Sequence, residues 1–370
     1  MKYYIIAGEA SGDLHASNLM KSLSENDDQS EYRFWGGDLM QATGGTLVKH
    51  YRDLAFMGFS EVIMNLRTIL SNIKFCKQDI LRYQPDVLIL IDYPGFNMRI
   101  AEFAKKNNIL VHYYISPQIW AWKESRIKKI KRDVDQMYVI LPFEKEFYEQ
   151  KHNFPVHFVG HPLLDAIADR KQINVTQFCK ENNLNEKPII ALLPGSRQQE
   201  IKKMLSVMLK MINKFTDHQF VIAGAPSQDL QFYKQFTKTE EVSIVENKTY
   251  DLLSVSNAAL VTSGTATLET ALFKVPEVVC YKGSTISYQI GKRLIKNIKY
   301  ISLVNLILDK EVVVELIQDD FNELKLEDEL FKILDHKNRE KMLDSYYELE
   351  QKLGGKGASE NTAKLIINNS

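Results

Sequence analysis

Short apolar runs rich in β-branched and aromatic residues alternate with longer amphipathic segments along the whole 370-residue chain. In the first half, the runs predicted to be strands are YYIIAG, DVLILID, LVHYYIS, MYVIL and VHFVG. In the second half they are PIIALL, FVIAG, SIVE, AALVTS and EVVCY. Helical patterns between them include ASNLMKSL, NMRIAEFAKK, IKKMLSVMLKMINKF and TATLETALF. Nearly continuous apolar strands that alternate with helices predict parallel sheets covered on both faces.

Two such sets of strands predict an α/β protein with two doubly wound, Rossmann-like domains, and the chain is too long for one core. A polar, helix-prone segment after FVGHPLLDAI precedes the second sheet. We therefore predict domains over residues 1–168 and 169–340, with a C-terminal helical segment over 341–370 that could pack back on the first domain. Ligands bind outside the carboxyl ends of the strands in open parallel sheets, so a site in a cleft between the domains is expected.

The charges of the chain balance, with 47 Lys and Arg against 47 Asp and Glu. Nucleic-acid-binding proteins normally carry a basic excess, so the composition argues against such a partner. The cysteines Cys76, Cys179 and Cys280 are widely spaced and lack a metal-ligand pattern, which indicates reduced thiols. No apolar stretch reaches the roughly 18 residues of a membrane span, so we expect a cytosolic protein whose attachment to a membrane surface stays open.

The turn LLPGSR places Gly195, Ser196 and Arg197 between a predicted strand and a predicted helix. Unpaired N–H groups at a helix start attract anions, and a guanidinium suits phosphate or carboxylate. The alternative is an ordinary turn in which Ser196 caps the helix.

The stretch VTSGTATLET has the same arrangement, with Ser263, Gly264 and Thr265 before a helix that carries Glu269. These groups could bind a diphosphate, and Glu269 could accept hydrogen bonds from sugar hydroxyls; the alternative is a capped helix with a surface Glu. The chain has neither GxGxxG nor a P-loop, so a nucleotide that serves as a leaving group fits better than one that is hydrolysed.

Carboxylates and a histidine follow two predicted strands of the first domain. Asp92 ends the strand of LILIDYPGFN, where burial would raise its pKa and suit it to act as a general base. The alternative is an Asp that caps the next helix. The turn AGEASGDLHAS supplies Glu9 and His15, and His15 is a second candidate base, although a lone His is more often structural.

A basic tract follows the tryptophan-rich segment SPQIWAW, and an apolar stripe follows the turn at Gly58. Most basic tracts are solvated helix faces; the functional alternative is contact with phosphate or a membrane surface. The residues assigned to that contact are Arg126, Lys128, Lys129 and Arg132. The stripe is either a core helix or a surface for acyl chains. Its assigned residues are Met57, Phe59, Val62, Ile63, Leu66, Ile69 and Leu70.

The motifs AGEASGD, MGFSEV, IDYPGFN, SPQIWAW, LPFE, FVGHP, LLPGSR, SGTATLE and YISLVNLIL occur in this order in the lipid-A-disaccharide synthases. The chain resembles that family from residue 3 to about residue 320. The resemblance implies an inverting GT-B glycosyltransferase, which transfers 2,3-diacylglucosamine from UDP to the 6-hydroxyl of 2,3-diacylglucosamine 1-phosphate (lipid X) in lipid A biosynthesis.

The same resemblance assigns roles to the candidate residues. It implies that the turns at Arg197 and Thr265 hold the UDP diphosphate, that Glu269 binds ribose and that Asp92 deprotonates the acceptor. Glu9 and His15 also match family motif positions without a defined role. The donor side further includes Ala266, Tyr281 and Asn305. Gly95 occupies a position that is acidic in some relatives.

The resemblance implies no cofactor and no metal, since the UDP-sugar is a substrate. It also implies the cytoplasmic face of the inner membrane as a partner surface, and a homodimer stays open. Two alternatives remain: a GT-B relative that uses a soluble UDP-sugar, such as a UDP-GlcNAc 2-epimerase or a muropeptide-type transferase, and a non-catalytic module that binds a UDP-sugar or a lipid.

Overall fold

The computed structural model describes residues 1–54, 66–168, 170, 173–226, 228–237, 242–283 and 299–370. The chain divides into two compact units, one made of Met1–Asp169 with Leu353–Ser370 and the other of Arg170–Lys352. Each unit contains one sheet whose described strand pairs are all parallel, which confirms the predicted α/β class with two doubly wound domains.

The sheet of the first unit has seven strands in the order β3-β2-β1-β4-β5-β6-β7. The strands are β1 (Lys2–Ala7), β2 (Glu31–Gly36), β3 (Thr46–His50), β4 (Val87–Ile91), β5 (Leu110–Tyr114), β6 (Gln136–Val139) and β7 (His157–Phe158). The helices of its N-terminal part are α1 (Ala10–Asn26), α2 (Asp38–Thr43), α3 (Leu66–Tyr83), α4 (Pro94–Lys106), α5 (Ile127–Asp133), α6 (Pro142–Glu146) and α7 (Pro162–Ala168).

The sheet of the second unit has six strands in the order β10-β9-β8-β11-β12-β13. They are β8 (Ile189–Leu193), β9 (Gln219–Gly224), β10 (Val242–Glu246), β11 (Ala258–Thr262), β12 (Glu277–Tyr281) and β13 (Glu315–Ile317). The helices are α8 (Val175–Glu181), α9 (Gln198–Met208), α10 (Leu230–Lys234), α11 (Thr249–Ser254), α12 (Thr265–Leu272), α13 (Leu303–Leu308), α14 (Glu323–Leu334) and α15 (His336–Lys352). A last helix, α16 (Ala358–Asn368), belongs to the first unit.

The central strands of both sheets are buried on both faces. Every residue of β4, β8 and β11 is buried, as their unbroken apolar sequences predict for a parallel sheet between helical layers. The cysteines Cys76, Cys179 and Cys280 are buried free thiols within these cores. Among the described residues, no helix combines the length and the apolar character needed to cross a bilayer.

Three strands of the structure, β2, β3 and β13, were not predicted from the sequence. In β2, Arg33 interrupts the apolar run, and its guanidinium makes two 2.7 Å hydrogen bonds to the carboxylate of Asp79. Strand β3 is mostly half-buried, and β13 has only three residues. The predicted helix over IKKMLSVMLKMINKF ends early, because α9 stops at Met208 and one 3-10 turn follows at Leu209–Met211.

The C-terminal segment that joins the first unit is shorter than the predicted residues 341–370. Helix α15 stays with the second unit, where Tyr346 is buried and Lys274 Nζ donates to its carbonyl at 3.1 Å. Only Leu353–Ser370 belongs to the first unit. There the carboxylate of Asp165 accepts the backbone N–H groups of Gly357 at 2.6 Å and Ser359 at 2.8 Å, which anchors the start of α16.

Candidate functional site

The switch point of the first sheet lies between β1 and β4, which pair in parallel with Ala7 opposite Ile91. Glu9 follows β1 and Asp92 follows β4, so the fold brings these two sequence candidates to one edge of the sheet. Burial, and then the negative charge of Glu9, raises the pKa of Asp92 to about 6. A carboxylate with this pKa is ionised at neutral pH and still accepts a proton readily.

Asp92 sits on a strained backbone, since Asp92 and Tyr93 have φ values of 44° and 46°. Left-handed conformations at two successive non-glycine residues persist only where their surroundings enforce them. The buried amide of Asn97 donates to the Asp92 carbonyl at 2.7 Å and to the Ile91 carbonyl at 3.1 Å. The hydroxyl of Tyr113 donates to the same Asp92 carbonyl at 2.6 Å. The backbone at Asp92 is therefore held in this conformation by hydrogen bonds from two side chains of the same unit.

Gly95, in the first turn of the following helix, has open space around it. A Cβ at this position would meet no atom of the described residues within 4 Å. Those residues therefore do not exclude an acidic side chain there.

His15 lies in a different environment from the one that the sequence suggested for a second base. It is buried, and desolvation lowers its pKa to about 4. The charged and titratable neighbours that act on it are Asp165 and His161, and Asp92 is not among them. This arrangement favours a structural role for His15, close to the residue that anchors α16.

The switch point of the second sheet lies between β8 and β11, where Leu193 is opposite Val261. The turn at Gly195 follows β8, and the turn at Gly264 follows β11, so the two predicted phosphate-binding turns are adjacent. Gly195 has a φ of 98°, a conformation that favours glycine.

The side chains of these turns differ in how available they are. Arg197 is 67% exposed, and among the described residues its side chain makes a single long contact, 3.5 Å from Nη1 to Glu200 Oε1. The hydroxyl of Ser263 is already used, because it donates to the Ile301 carbonyl at 3.0 Å. Thr265 is exposed and Ala266 half-buried in the first turn of α12, so backbone groups and Arg197 remain for an anion. The carbonyl of Ser196 accepts a 2.9 Å hydrogen bond from Gln228 Nε2.

Glu269 has a partner that the sequence did not indicate. The phenol of Tyr250 on α11 donates to Glu269 Oε1 at 3.0 Å, and the guanidinium of Arg170 lies 5.2 Å from the Tyr250 ring centre. Burial raises the pKa of Glu269, and the hydrogen bond from Tyr250 opposes that rise. The segment NKTYDLLS has the appearance of an ordinary helix start, so no sequence signal singled out Tyr250.

Asn305, predicted on the donor side, is fully buried and its amide is occupied within the protein. Its nitrogen donates to the Val313 carbonyl and to Glu315 Oε1, at 2.8 and 3.0 Å. Its oxygen accepts the N–H groups of Val312 and Val313. We therefore leave Asn305 out of the nucleotide site. Tyr281 is half-buried at the carboxyl end of β12.

The motifs SPQIWAW and LPFE meet in the first unit. Ser116 Oγ donates to Glu144 Oε1 at 2.5 Å, and the backbone N–H groups of Ile140 and Leu141 donate to Oε2 at 3.2 and 3.0 Å. Burial raises the pKa of Glu144 to about 7. Glu144 thus connects the loop after β5 to the loop after β6 at the same edge of the sheet as Asp92.

The basic tract is unevenly neutralised. Arg132 makes two hydrogen bonds to Asp133, at 2.7 and 2.8 Å, and lies 3.5 Å from Glu102, so its charge is balanced. Lys128 and Lys129 are exposed, whereas Arg126 is half-buried.

Most of the predicted acyl-contact stripe lies outside the described residues. This applies to Met57, Phe59, Val62, Ile63 and the side chain of Leu66. Of the remaining two, Ile69 packs against the core of the first unit and Leu70 is 52% exposed. In the described part of the chain, no three His, Cys, Asp or Glu side chains are grouped as a metal site would require. That the protein needs neither a metal nor a cofactor stays a prediction.

The architecture matches solved structures along the full chain. The UDP-GlcNAc 2-epimerase from Neisseria meningitidis, solved with UDP-GlcNAc, superimposes with a TM-score of 0.70 at 13% identity and 100% coverage of both chains. At this identity the likeness shows the fold. The chain therefore has the two-domain α/β architecture of the GT-B class, with a candidate site at the switch point of each sheet.

Sequence relatives define the family more narrowly. A family model described as Lipid-A-disaccharide synthetase matches residues 3–367. The lipid-A-disaccharide synthase of Coxiella burnetii (strain CbuG_Q212) is 39% identical over 370 residues, covering 98% of this chain and 97% of the relative. That of Syntrophus aciditrophicus (strain SB) is 40% identical over 373 residues, covering 98% and 96%. The chain belongs to the lipid-A-disaccharide synthase family.

Proposed function

We propose that this glycosyltransferase of lipid A disaccharide synthesis joins UDP-2,3-diacylglucosamine to 2,3-diacylglucosamine 1-phosphate with inversion. The products are the β-1,6-linked disaccharide 1-phosphate and UDP. Family membership supports the reaction, and the pairing of Asp92 with Glu9 at the first switch point is the observation that supports its chemistry most directly.

In the proposed step, the Asp92 carboxylate takes the proton of the acceptor 6-hydroxyl. The hydroxyl oxygen forms a bond to the anomeric carbon of the donor while the bond from that carbon to the UDP oxygen breaks. UDP leaves with the electron pair, so a single displacement inverts the anomeric centre. The raised pKa of Asp92 and its fixed backbone suit a base that must receive a proton at one position.

On the donor side, the helix starts after β8 and β11 would bind the diphosphate through backbone N–H groups of their first turns. The exposed guanidinium of Arg197 would offset the negative charge that grows on the departing UDP. Glu269, presented by Tyr250, would accept hydrogen bonds from the ribose. The adjacency of the two turns supports this assignment, since donors from both can reach one diphosphate.

Both substrates carry acyl chains, so the proposal includes reversible attachment to the cytoplasmic face of the inner membrane; a homodimer stays a prediction. Leu70 and Leu81 on α3 are 52% and 46% exposed beside Lys74 and Lys77, a combination that suits an anionic membrane surface. Leu70→Glu should weaken binding to phosphatidylglycerol vesicles. Leu324→Glu, at a 73% exposed position of the second unit, should leave it unchanged.

The reaction can be tested with purified protein, UDP-2,3-diacylglucosamine and the acyl-sugar phosphate, with mass spectrometry for disaccharide and UDP. Formation of both products, and their loss in Asp92→Asn with unchanged UDP affinity, is the expected result. Two parallel reactions contain UDP-GlcNAc, with and without the acceptor. Epimerisation or transfer of that sugar with no use of the acylated donor would contradict the proposal, and so would UDP binding without turnover.

A further inference from the structure

The loop between β5 and the short helical turn Glu124–Arg126 presents an aromatic ring that has two cations close to it. Trp122 is 46% exposed. Lys123 Nζ lies 4.3 Å from the ring centre and the Arg126 guanidinium carbon lies 5.2 Å from it. In the described part of the chain, neither cation forms an ion pair with a carboxylate. We call these three residues the Trp122 patch.

The acidic residue inside this sequence does not neutralise the patch. Glu124 Oε1 lies 2.7 Å from Lys151 Nζ and 3.0 Å from His152 Nε2, and the pKa of Glu124 is lowered mainly by its hydrogen bond with Lys151. Its charge is therefore compensated by residues of another turn. This leaves the patch a net positive charge, in contrast to Arg132, which Asp133 and Glu102 balance.

The loop that carries the patch is held in place. Ser116 bonds to the buried Glu144, and the Tyr148 hydroxyl donates to the Pro117 carbonyl at 3.2 Å. Trp120 packs edge-on against Phe143 at 4.9 Å between ring centres. A loop that is already ordered loses little conformational freedom when a ligand binds to it.

The loop that carries the patch begins beside the candidate base. The backbone N–H of Asp92 donates to the carbonyl of Tyr114, the last residue of β5, at 3.1 Å, so the loop leaves the sheet beside Asp92. The charge of Arg126 acts on the hydroxyl of Tyr113, and that hydroxyl donates to the Asp92 carbonyl at 2.6 Å. The phenol of Tyr113 is thus influenced by the charge of Arg126 and hydrogen-bonded to the backbone of Asp92.

We propose that Lys123 and Arg126, held against Trp122, form the subsite for the phosphate monoester of the acceptor sugar. The inference rests on the proposed function, in which the acceptor has a 1-phosphate and reacts through its 6-hydroxyl. Both groups are substituents of one pyranose ring, so the phosphate must lie within one sugar of the base. Guanidinium and ammonium groups are the side chains that bind phosphate best.

The test compares two acceptors, 2,3-diacylglucosamine with and without the 1-phosphate, in detergent micelles with saturating donor. Charged hydrogen bonds to phosphate predict that Arg126→Gln raises KM for the phosphorylated acceptor about tenfold. Lys123→Gln should raise it several-fold, and Arg126→Lys should restore part of the loss. KM for the donor and for the unphosphorylated acceptor should not change. Lys131→Gln, an exposed position on α5, is the matched control.

An unchanged preference for the phosphorylated acceptor in Arg126→Gln and Lys123→Gln, with an active wild type, overturns this inference alone. A wild type that is inactive on both acceptors overturns the proposed function as well. Binding to vesicles tests whether the patch binds the phosphate of lipid headgroups instead. If the variants lose binding to phosphatidylglycerol vesicles while their acceptor preference in micelles is intact, the patch binds lipid headgroups and the inference is wrong.

Discussion

Tyr250 holds Glu269 by a 3.0 Å hydrogen bond that joins α11 to the second turn of α12. Arg170 covers the Tyr250 ring and forms an ion pair with Asp251 of the same helix. The carboxylate proposed to bind ribose is therefore positioned by a neighbouring helix as well as by its own.

We expect Tyr250→Phe to weaken UDP binding by about tenfold or more, because a hydrogen bond to a charged group contributes about 1.5–3 kcal/mol. The variant should also raise the pKa of Glu269 further, because the phenol favours the ionised form. UDP binding should then decline at a higher pH than in the wild type as the solution is acidified. Calorimetric titration at several pH values measures both effects.

The control ligand for Tyr250→Phe is 2′,3′-dideoxy-UDP, which lacks the ribose hydroxyls. Its affinity should be nearly the same for wild type and variant. Equal weakening of both ligands would show that Tyr250 acts on the fold and not through Glu269.

The pH dependence of turnover should report Asp92. With its pKa raised to about 6, kcat/KM is expected to fall as pH decreases through about 6, because the protonated acid cannot act as a base. Glu9→Gln removes the negative charge that contributes to this rise, so the acid limb should move to lower pH. A pH–rate profile of both proteins checks this. An acid limb that does not move would show that the charge of Glu9 has no effect on the pKa of Asp92.

The left-handed backbone at Asp92 should depend on Asn97. Asn97→Ala removes the hydrogen bonds to the Ile91 and Asp92 carbonyls, which should cost about 1–3 kcal/mol of unfolding free energy and lower kcat. Tyr113→Phe removes one donor to the same carbonyl and should have a smaller effect in the same direction. Denaturant unfolding and steady-state kinetics measure the two losses, and UDP affinity should stay constant in both variants.

Glu277 is expected to make stability depend on pH. It is fully buried on β12, and burial raises its pKa well above the ordinary value. Among the residues that the structure describes, neither of its carboxyl oxygens has a hydrogen-bond partner. The unfolded chain releases this proton near its ordinary pKa, whereas the folded protein keeps it. Each pH unit above the ordinary pKa therefore costs up to about 1.4 kcal/mol of stability, until the folded pKa is reached.

The matched variant is Glu277→Gln, which cannot ionise. Its melting temperature should exceed that of the wild type by a margin that grows between about pH 5 and about pH 8. Thermal unfolding in that range measures the margin. A constant difference would mean that Glu277 finds a compensating partner in solution.

The sequence predicts those site residues that directly follow an apolar strand. The turns at Gly195 and Gly264 were recognisable because glycine and hydroxyl residues follow unbroken apolar strands. Their adjacency depends on strand order, which no local pattern encodes. Asn305 shows the opposite limit, since a polar residue in LVNLIL looks the same whether it meets a ligand or, as here, the backbone of residues 312 and 313.

The partners of the site residues were less predictable than the residues themselves. Tyr250 lies on a separate helix from Glu269, and the compensation of Glu124 by Lys151 and His152 joins residues from separate turns. In the sequence, Glu124 lies between Lys123 and Arg126. Only the folded arrangement shows that no carboxylate of the described residues forms an ion pair with Lys123 or Arg126.

The anchoring of Leu353–Ser370 to Asp165 has a consequence for biosynthesis. The ribosome makes residues 170–352 before it makes the helix that completes the first unit. The first unit is therefore incomplete while the entire second unit is translated, and the face that receives α16 stays uncovered during that time. A fragment ending near residue 169 would stay in this unfinished state, so isolating the first unit requires its C-terminal helix to be supplied in trans or through a linker.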